Sequence, residues 1–495
     1  MLTEKQFLKL KSGTDVRGVA VKTDELEVEL TDEVVFKICV AFSQWIKKKE
    51  GRENIKISVG HDSRISAERI KATAVKAFCG EGLTVYDFGL SSTPAMFMSV
   101  VIDLKVDCAL EITASHHPYD RNGLKFFTKN GGLDGSDLEE ILKIAVSAEA
   151  SGLHGSVRKY DFMSVYAEHL RKIIKDGVNA GEKPLSGLKI VVDAGNGVGG
   201  FYAKDVLEPL GANVDGSQFL EPDGMFPNHV PNPENAVAIK FACNMVKNSG
   251  ADFGLIFDTD VDRMGCVSKT GDEINRNRLV ALASVIALDG NKGATVVTDS
   301  LTSDGLRKFI ECDLGGKQLR FRRGYKNVIN KSVELNGMGI NSPLAIETSG
   351  HAAFKENYFL DDGAYLATKI VVLLARLHKE GKTVDELIAT LEEPKESVEV
   401  RIPIMLEDFK AYGETVISEL EKFAESTPTW EIEKENYEGT RVNIPGGWFL
   451  LRLSVHDPIL PLNIENDNEG VCAEIEKTLK QFFSRFDKLD LKNFK

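Results

Sequence analysis

The sequence predicts an α/β protein with three related mixed-sheet domains and a smaller α+β domain at the C-terminal end. Three observations carry this prediction. The chain has 495 residues, well beyond the size at which one hydrophobic core stops growing. A cycle of strand, polar loop, helix, glycine and second strand occurs three times, which is typical of a mixed or parallel sheet covered by helices. After about residue 390 this cycle stops, and the pattern of apolar residues changes.

The three cycles open on the strand and loop sequences "IKISVGHDSR" (55–64), "LKIVVDAGNG" (188–197) and "ATVVTDS" (294–300). Each opening is followed by a predicted helix: a stretch ending at Cys79-Gly80, then "FYAKDVLEPLG", then "DGLRKFIECD". The predicted second strands are "LTVYDFG", "ANVDG" and "QLRFRRG". Three copies of one cycle indicate three related domains.

The C-terminal part predicts strands at "SVEVRIPI", "WEIEKEN" and "GWFLLRLS", a long amphipathic helix near 406–425, and a final helix from about residue 469. Breaks between domains are expected near 150–160, near 271–277 and near 380–395. The predicted domains are therefore 1–155, 156–272, 273–388 and 389–495.

The composition narrows the function classes. A formal net charge of −14 opposes broad attraction to nucleic acid or to an anionic membrane surface. The N-terminal sequence lacks the basic-then-apolar order of a signal peptide, and no run of about 18 apolar residues occurs, so a cytoplasmic protein is expected. The seven cysteines are scattered without a C-x-x-C pair, which predicts reduced thiols and neither a disulfide framework nor a zinc site.

The stretch "ITASHHPYDRNGLKFF" (112–127) places Ser115 after an apolar run, with His116 directly behind it and Lys125 a few residues on. Two interpretations compete at this point. The serine is either an ordinary loop residue with a satisfied hydroxyl, or a nucleophile with cationic and imidazole groups that support it.

The stretch "DFGLIFDTDVDRMG" places Asp258, Asp260 and Asp262 at alternate positions after an apolar strand, where three carboxylates can meet at one point. Such hard oxygen ligands suit Mg²⁺. An EF-hand loop is excluded because Arg263 and Lys269 stand where glycine and glutamate are required. The remaining interpretations are the aspartyl nucleophile of a D-x-D-x-[TV] phosphatase, a metal site that serves another group, and a solvated acidic turn.

The stretch "VDAGNGVGG" matches the dinucleotide pattern G-x-G-x-x-G, with glycines at 195, 197 and 200 and Asp215 about 20 residues further on. A single match of this kind is weak evidence, and Asn196 stands inside the turn. We interpret the motif as a tight turn that packs a helix against a strand, in preference to an NAD site.

Two later stretches carry groups that suit a sugar phosphate. "AIETSGHAAF" offers Glu347, Ser349 and His351 for hydrogen bonds to sugar hydroxyls. "LLRLSVHDP" projects Arg452 and Ser454 from one side of a strand, and an arginine fork with a hydroxyl suits a phosphate dianion. Further cations follow strands of the repeated units, at the edge where open α/β sheets bind ligands: Arg17, Arg64, Arg322, Arg323 and Lys326.

Taken together, these stretches resemble the α-D-phosphohexomutase superfamily, which includes phosphoglucomutases, phosphomannomutases and phosphoglucosamine mutases. The motifs occur in family order: "SGTDVRG", "TASHHP…NGLK", "DTDVDR", "GYK", "ETSGH" and "RLS…DP". The resemblance implies four domains around a central cleft, with one loop from each. It implies catalytic roles for Ser115, His116, Lys125, Arg17 and Arg263, and metal-ligand roles for Ser115, Asp258, Asp260 and Asp262. The substrate-binding residues that it implies are Lys326, Glu347, Ser349, His351, Arg452, Ser454 and His456.

The resemblance further implies an isomerase that interconverts hexose 1-phosphate and hexose 6-phosphate, of glucose, mannose or both. Transfer would pass through a phosphoserine and a bisphosphorylated sugar, with one Mg²⁺ per chain and a glucose 1,6-bisphosphate-type activator that primes the serine. The expected partners are small hexose phosphates, with no nucleic acid and no membrane, and the chain is expected to be a monomer or a homodimer. The alternatives are a phosphoglucosamine mutase, an Mg²⁺-dependent sugar phosphatase and a non-catalytic sugar-phosphate-binding protein.

Some positions depart from the family pattern. His117 stands where asparagine is frequent, and Ile346 stands where a glycine often precedes the glutamate. The phosphate loop commonly reads R-x-S-x-T-E-P-x-x-R, whereas this chain has Val455, His456 and Asp457 in its middle and Pro461 where the second arginine is usual. Loss of the second arginine would cost about 1.5–3 kcal/mol of phosphate binding, unless His456 compensates.

Overall fold

The computed structural model describes residues 2–454 and 457–494. It contains two compact units, Met1–Leu279 with Ser349–Glu386, and Val280–Thr348 with Leu387–Lys495. None of the helices in the described parts of the chain combines the length and apolar character that a membrane span requires.

The first unit begins with a mixed sheet in the order β1-β2-β6-β5-β3-β4-β8, to which β7 adds beside β6. Its strands are β1 (Lys11–Ser12), β2 (Asp15–Val19), β3 (Lys56–His61), β4 (Thr84–Leu90), β5 (Cys108–Ile112), β6 (Arg121–Thr128), β7 (Gly131–Gly132) and β8 (Ser156–Lys159). Its helices are α1 (Glu4–Lys9), α2 (Asp32–Glu50), α3 (Ala67–Gly80), α4 (Thr93–Val101) and α5 (Gly135–Ala145).

The pairing of this sheet brings two loops together. Strand β3 runs parallel to β4 and to β5, so the segments that follow β3 and β5 leave the sheet at the same edge. Strand β6 runs antiparallel to β5 and sets Lys125 opposite Glu111. An apolar core anchors the sheet, and within it the rings of Phe42 and Phe126 stack at 4.2 Å.

The unit continues with a four-stranded sheet in the order β12-β11-β10-β9, in which β9 and β10 are parallel. Because their carboxyl ends share one edge, the glycine-rich segment after β9 and the aspartates after β10 are neighbours. The elements are α6 (Phe162–Val178), β9 (Ile190–Asp193), α7 (Ala236–Ser249), β10 (Phe253–Phe257), β11 (Met264–Val267) and β12 (Glu273–Ile274). Helix α8 (Asn277–Leu288) follows, and its residues from Val280 on belong to the second unit.

The second cycle differs from its sequence-based prediction. The helix expected at "FYAKDVLEPLG" forms as a π-helix at Tyr202–Leu207 followed by a 3₁₀ turn at Glu208–Leu210, where Pro209 has no N–H to donate to a helical ladder. The expected strand "ANVDG" makes only an isolated bridge between Lys189 and Asn213. Directly after that bridge the N–H of Ser217 donates to the Val214 carbonyl at 3.0 Å, so the chain turns before a ladder can form.

In the second unit β13 pairs in parallel with β14 and with β15, as the third cycle predicts. Its predicted helix is shorter, because α9 gives way to a π-helical turn at Phe309–Asp313. The elements are β13 (Thr295–Thr298), α9 (Asp304–Lys308), β14 (Lys317–Arg320), α10 (Tyr325–Gly337) and β15 (Leu344–Ile346). The chain then contributes β16 (Ala352–Phe354) and α11 (Gly363–Lys379) to the first unit, and α12 (Val384–Leu387) follows.

The C-terminal part forms an antiparallel sheet in the order β17-β21-β20-β19-β18, and two helices share one apolar core with it. The predicted fold class, three α/β domains with mixed sheets and a smaller C-terminal α+β domain, is confirmed. The elements are β17 (Glu396–Pro403), α13 (Lys410–Ser426), β18 (Glu431–Ile432), β19 (Thr440–Ile444), β20 (Gly447–Leu451), β21 (Ile459–Asn466) and α14 (Val471–Phe483).

Candidate active site

Ser115 lies in the loop after β5, buried, with φ at 49°. A residue other than glycine rarely takes this left-handed backbone conformation, and strain of this kind clusters at functional sites. Its Oγ donates to Asp258 Oδ2 at 3.0 Å and accepts from Arg263 Nη2 at 2.9 Å. The serine predicted from the first domain therefore touches the aspartate motif predicted from the second.

The three aspartates lie buried in the loop after β10, which we call the aspartate loop (258–263). One carboxylate oxygen from each of Asp258, Asp260 and Asp262 lies within 4.8 Å of the other two. Val261 between them has φ at 67°, an outlier for a β-branched residue. Its carbonyl accepts from the Gly363 N–H at 3.1 Å, which helps to hold the loop in this shape.

Two cations neutralise part of this acidic cluster. Lys125 Nζ donates to Asp262 Oδ2 at 2.8 Å, and both side chains are almost fully buried. Arg263 Nε donates to Asp258 Oδ2 at 3.2 Å, and its backbone N–H donates to Asp258 Oδ1 at 3.1 Å. Asp258 thus has both carboxylate oxygens engaged by hydrogen bonds.

The protonation of the cluster reflects crowding of like charges in a buried place. Burial and the neighbouring carboxylates raise the pKa of Asp258 well above its ordinary value. Burial and Asp262 raise the pKa of Asp260 to about 6. The pKa of Asp262 moves the other way, because Lys125, His351 and Arg263 together outweigh the effect of burial.

The donor set fits a divalent cation. Asp260 Oδ1 and Asp262 Oδ1 are buried and have no hydrogen-bond partner among the described residues. Buried carboxylate oxygens are costly when they stay unpartnered, and an ion bound by these two oxygens together with Asp258 would remove that cost. Carboxylate oxygens are hard ligands of the kind that Mg²⁺ prefers, and water or phosphate oxygens usually take its other positions. A second group, formed by Asp262 with His351 and Asp361, has ligand atoms at similar spacing.

Two histidines of the site differ in charge. Burial and the charge of Arg263 lower the pKa of His116, so its imidazole is neutral and its Nδ1 accepts from Arg263 Nη2 at 2.5 Å. Burial would also lower the pKa of His351, but the carboxylates of Asp361 and Asp262 raise it to about 9. His351 is therefore a cation at neutral pH, with Nδ1 at 2.6 Å from Asp361 Oδ2.

Arg17 lies on β2, with Nη2 at 3.1 Å from Asp15 Oδ2. Its charge contributes to the low pKa of His116, after the larger effects of burial, Arg263 and His117. Arg17 therefore belongs to the electrostatic surroundings of the segment 113–121 that carries Ser115, which we call the serine loop.

The remaining predicted substrate-binding residues divide between the two units. Ser349 belongs to the first unit and is buried, with no hydrogen-bond partner for its Oγ among the described residues. In the second unit the carboxylate of Glu347 accepts from the Gly324 N–H at 2.6 Å, and Lys326 lies in the first turn of α10. His456, and Val455 beside it, lie outside the described residues.

The predicted phosphate anchor lies at the end of β20. Burial lowers the pKa of Arg452, and within the described chain its Nε has no hydrogen-bond partner. Ser454 Oγ accepts from the Asp457 N–H at 3.2 Å. The guanidinium thus has donor capacity left for an acidic ligand.

Several residues of the site were missed by sequence reasoning. Thr93 Oγ1 donates to Asp260 Oδ2 at 2.5 Å, and Asp361 pairs with His351. Glu111 is fully buried under Lys125, and burial raises its pKa well above the ordinary value. The only local signal was "SSTPA", which predicts the start of a helix and gives no hint of a carboxylate partner.

Family models match most of the chain. The models described as "Phosphoglucomutase/phosphomannomutase, alpha/beta/alpha domain" I, II and III match residues 9–151, 164–271 and 275–394. A phosphomannomutase/phosphoglucomutase of Pseudomonas syringae pv. tomato is 30% identical over 482 residues, which cover 96% of this chain and 94% of the relative. A phosphoglucomutase of Neisseria gonorrhoeae is 30% identical over 470 residues, with 94% and 95% covered.

The solved structures include a phosphoglucomutase/phosphomannomutase family protein from Burkholderia thailandensis, at a TM-score of 0.81 and 28% identity, with 98% of each chain covered. Fold, site and relatives together define an isomerase of the mutase type. The chain belongs to the phosphoglucomutase/phosphomannomutase family, within the α-D-phosphohexomutase superfamily, and the resemblance drawn from the sequence is confirmed.

Proposed function

We propose that the chain interconverts hexose 1-phosphate and hexose 6-phosphate, of glucose, mannose or both, through phospho-Ser115 and a bisphosphorylated sugar. One observation carries the proposal: the Ser115 hydroxyl lies between Asp258 and Arg263, at 3.0 Å and 2.9 Å. A phosphoryl group on that oxygen would have a buried cation beside it and three carboxylates able to hold a metal ion. The mutase names of the relatives support the same reaction.

In the proposed first transfer, the Oγ–P bond of phospho-Ser115 breaks as an oxygen of the sugar bonds to phosphorus. The proton of that sugar hydroxyl leaves to a base, for which the neutral imidazole of His116 is one candidate and Lys125, in its uncharged form only, is the other. In the second transfer the other phosphate of the bisphosphorylated sugar returns to Ser115. Such transfers depend on positioning and on charge stabilisation, which Arg263 and Lys125 provide at the serine.

We assign Mg²⁺ to Asp258, Asp260 and Asp262, with the phosphorylated Ser115 as the further ligand. When bound, the ion would offset negative charge on the group being transferred. A glucose 1,6-bisphosphate-type activator would phosphorylate the serine before the first turnover.

The rest of the proposal concerns substrate binding. Arg452 and Ser454 would hold the phosphate that is not transferred, and Glu347, Ser349, His351 and Lys326 would bind the sugar. The buried Nε of Arg452, without a partner in the described chain, supports this assignment. As part of the proposal we keep the division into four domains at 155, 272 and 388.

The phosphatase alternative requires Asp258 to attack phosphorus. Both oxygens of Asp258 are occupied by Ser115 and Arg263, which disfavours it as a nucleophile and favours the serine. A phosphoglucosamine mutase is the alternative within the same reaction class, and the experiment below ranks the three kinds of sugar phosphate.

The deciding experiment is peptide mass spectrometry of the purified chain after treatment with glucose 1,6-bisphosphate and Mg²⁺. We expect phosphate on the peptide that contains Ser115, and its discharge by glucose, mannose or glucosamine phosphates then ranks the substrates. Ser115→Ala should abolish both labelling and mutase activity. Retained phosphate release in that variant would instead establish the phosphatase, and substrate binding without label exchange between C1 and C6 would establish a binding protein.

A further inference from the structure

Arg64, in the loop after β3, is the most completely engaged cation near the serine. Its side chain is fully buried and pairs with Asp62, with Nε at 3.1 Å from Asp62 Oδ2. The other nitrogens hold the serine loop by its backbone. Nη1 donates to the carbonyls of Pro118 at 2.6 Å and Arg121 at 3.0 Å. Nη2 donates to the carbonyl of His117 at 2.6 Å and, at a closer approach, to that of Ser115.

This contact sets the conformation of the nucleophile. Ser115 does not favour φ at 49° by itself, so its neighbours must impose that conformation. A planar guanidinium fixes several acceptors in one geometry, whereas the ammonium of a lysine is a point charge that cannot span four carbonyls. Sequence reasoning treated Arg64 as a possible ligand cation, but its donors face Asp62 and the loop.

Residues 219–226, between β9 and α7, lie against Arg64. We call this segment the strap. The Arg64 Cζ is 5.3 Å from the centroid of the Phe226 ring. A Cβ on Gly224 would lie 2.4 Å from the Ser63 carbonyl oxygen and 2.5 Å from the Ile65 nitrogen, so the strap and the Arg64 loop meet backbone to backbone.

The glycine-rich segment 193–200 connects the strap to the aspartate loop. On one side, the backbone N–H of Asn196 donates to the Phe219 carbonyl at 2.9 Å. The side-chain Nδ2 of Asn196 donates to the Glu221 carbonyl, also at 2.9 Å. On the other side, the Val198 N–H donates to the Thr259 carbonyl at 2.8 Å. A Cβ on residue 197 would lie 2.5 Å from that same Thr259 oxygen.

We propose that Arg64 is a positioning residue for phosphoryl transfer, and that the strap and segment 193–200 fix its place relative to the aspartate loop. The proposal rests on the function proposed above. In this proposal the G-x-G-x-x-G match in segment 193–200 has a structural role, because its glycines permit close backbone contacts. The aspartate loop and the serine loop are then aligned through one continuous set of contacts.

The test compares Arg64→Lys and Gly224→Ala with the control Gly337→Ala, whose added Cβ would meet nothing within 4 Å. The full chain is assayed with glucose 1-phosphate, Mg²⁺ and saturating glucose 1,6-bisphosphate. We expect kcat to fall about 100-fold in both test variants while KM changes less than about threefold, since misplacement of reacting groups affects the transfer step. The control should keep the original kcat.

Hydrogen exchange of peptides covering 113–121 gives a readout that does not require turnover. Both test variants should exchange faster there, and Arg64→Lys should leave 258–263 unchanged. An unchanged kcat, or unchanged exchange at 113–121, overturns the proposal. The proposal is also overturned if Gly224→Ala lowers kcat, raises KM and abolishes cooperative unfolding together, because that pattern marks a merely structural role. If Ser115 takes no label in the original chain, the proposed function fails, and the exchange data still decide whether Arg64 and the strap order the loop.

Discussion

Lys125→Met should change metal binding and catalysis in opposite directions. The Nζ of Lys125 lies 2.8 Å from Asp262 Oδ2, and the two side chains are 3% and 2% exposed. Methionine keeps the length of the side chain and removes its charge. On the function proposed above, the acidic cluster would then lose a cation that competes with Mg²⁺ for Asp262, and the transferred group would lose a cation that offsets its charge.

The magnitude follows from the burial of the pair. A hydrogen bond to a charged group contributes about 1.5–3 kcal/mol, and solvent screens this pair little because both partners are buried. The dissociation constant for Mg²⁺ should therefore fall about 10- to 100-fold, since each 1.4 kcal/mol is tenfold. Loss of one charge-stabilising donor should lower kcat about 100-fold or more.

Mg²⁺ binding is measured by calorimetry on the dephosphorylated chain near pH 8, and kcat is measured with glucose 1-phosphate at saturating Mg²⁺. Lys129→Met is the matched control, because Lys129 follows the same strand and pairs with Glu50 at 3.1 Å while 64% exposed. The control should change neither quantity. Equal or weaker Mg²⁺ binding in Lys125→Met would refute the idea that the lysine competes for Asp262.

Three further predictions concern stability. Burial opposes a charged His229, but Asp193 at 3.0 Å from Nε2 raises its pKa above the ordinary value. That stabilisation is fully present below about pH 6.5 and is lost as pH rises through the folded pKa, so His229→Asn should flatten the pH dependence of denaturant midpoints. Arg441→Met removes a guanidinium 3.7 Å from the Trp448 ring centroid. Thermal unfolding should show that the free energy of unfolding falls by about 2–4 kcal/mol. Phe42→Ala should cost about 3–5 kcal/mol by the same measurement, and a loss below about 1 kcal/mol in either variant would contradict the packing described.

The sequence could predict those parts of the site whose chemistry is local. Asp258, Asp260 and Asp262 alternate directly after an apolar strand, so their meeting follows from the backbone alone. Thr93 is different, because it lies 167 residues from its partner Asp260 and stands at the start of a helix, next to the N-cap Ser92. A contact of that kind is created by the packing of two domains and has no signature in either stretch.

The fold shows the same division between local and distant causes. The strands of the first and third cycles follow from apolar runs between turn residues, and β3, β4, β13 and β14 lie where the sequence predicts them. The helix predicted at "FYAKDVLEPLG" forms as a π-helix and a 3₁₀ turn, which an apolar pattern does not distinguish from an α-helix. Periodicity identifies buried faces better than it identifies the exact helical geometry.

The left-handed backbone at Ser115 also has a meaning for how the chain can evolve. Its conformation costs on the order of 1–2 kcal/mol for any residue with a side chain, and glycine would be spared that cost. Laboratory selection for heat tolerance alone should therefore drift toward glycine at this position, and selection that also demands growth on the product should restore serine. Serine at position 115 would therefore reflect a requirement that folding stability does not impose.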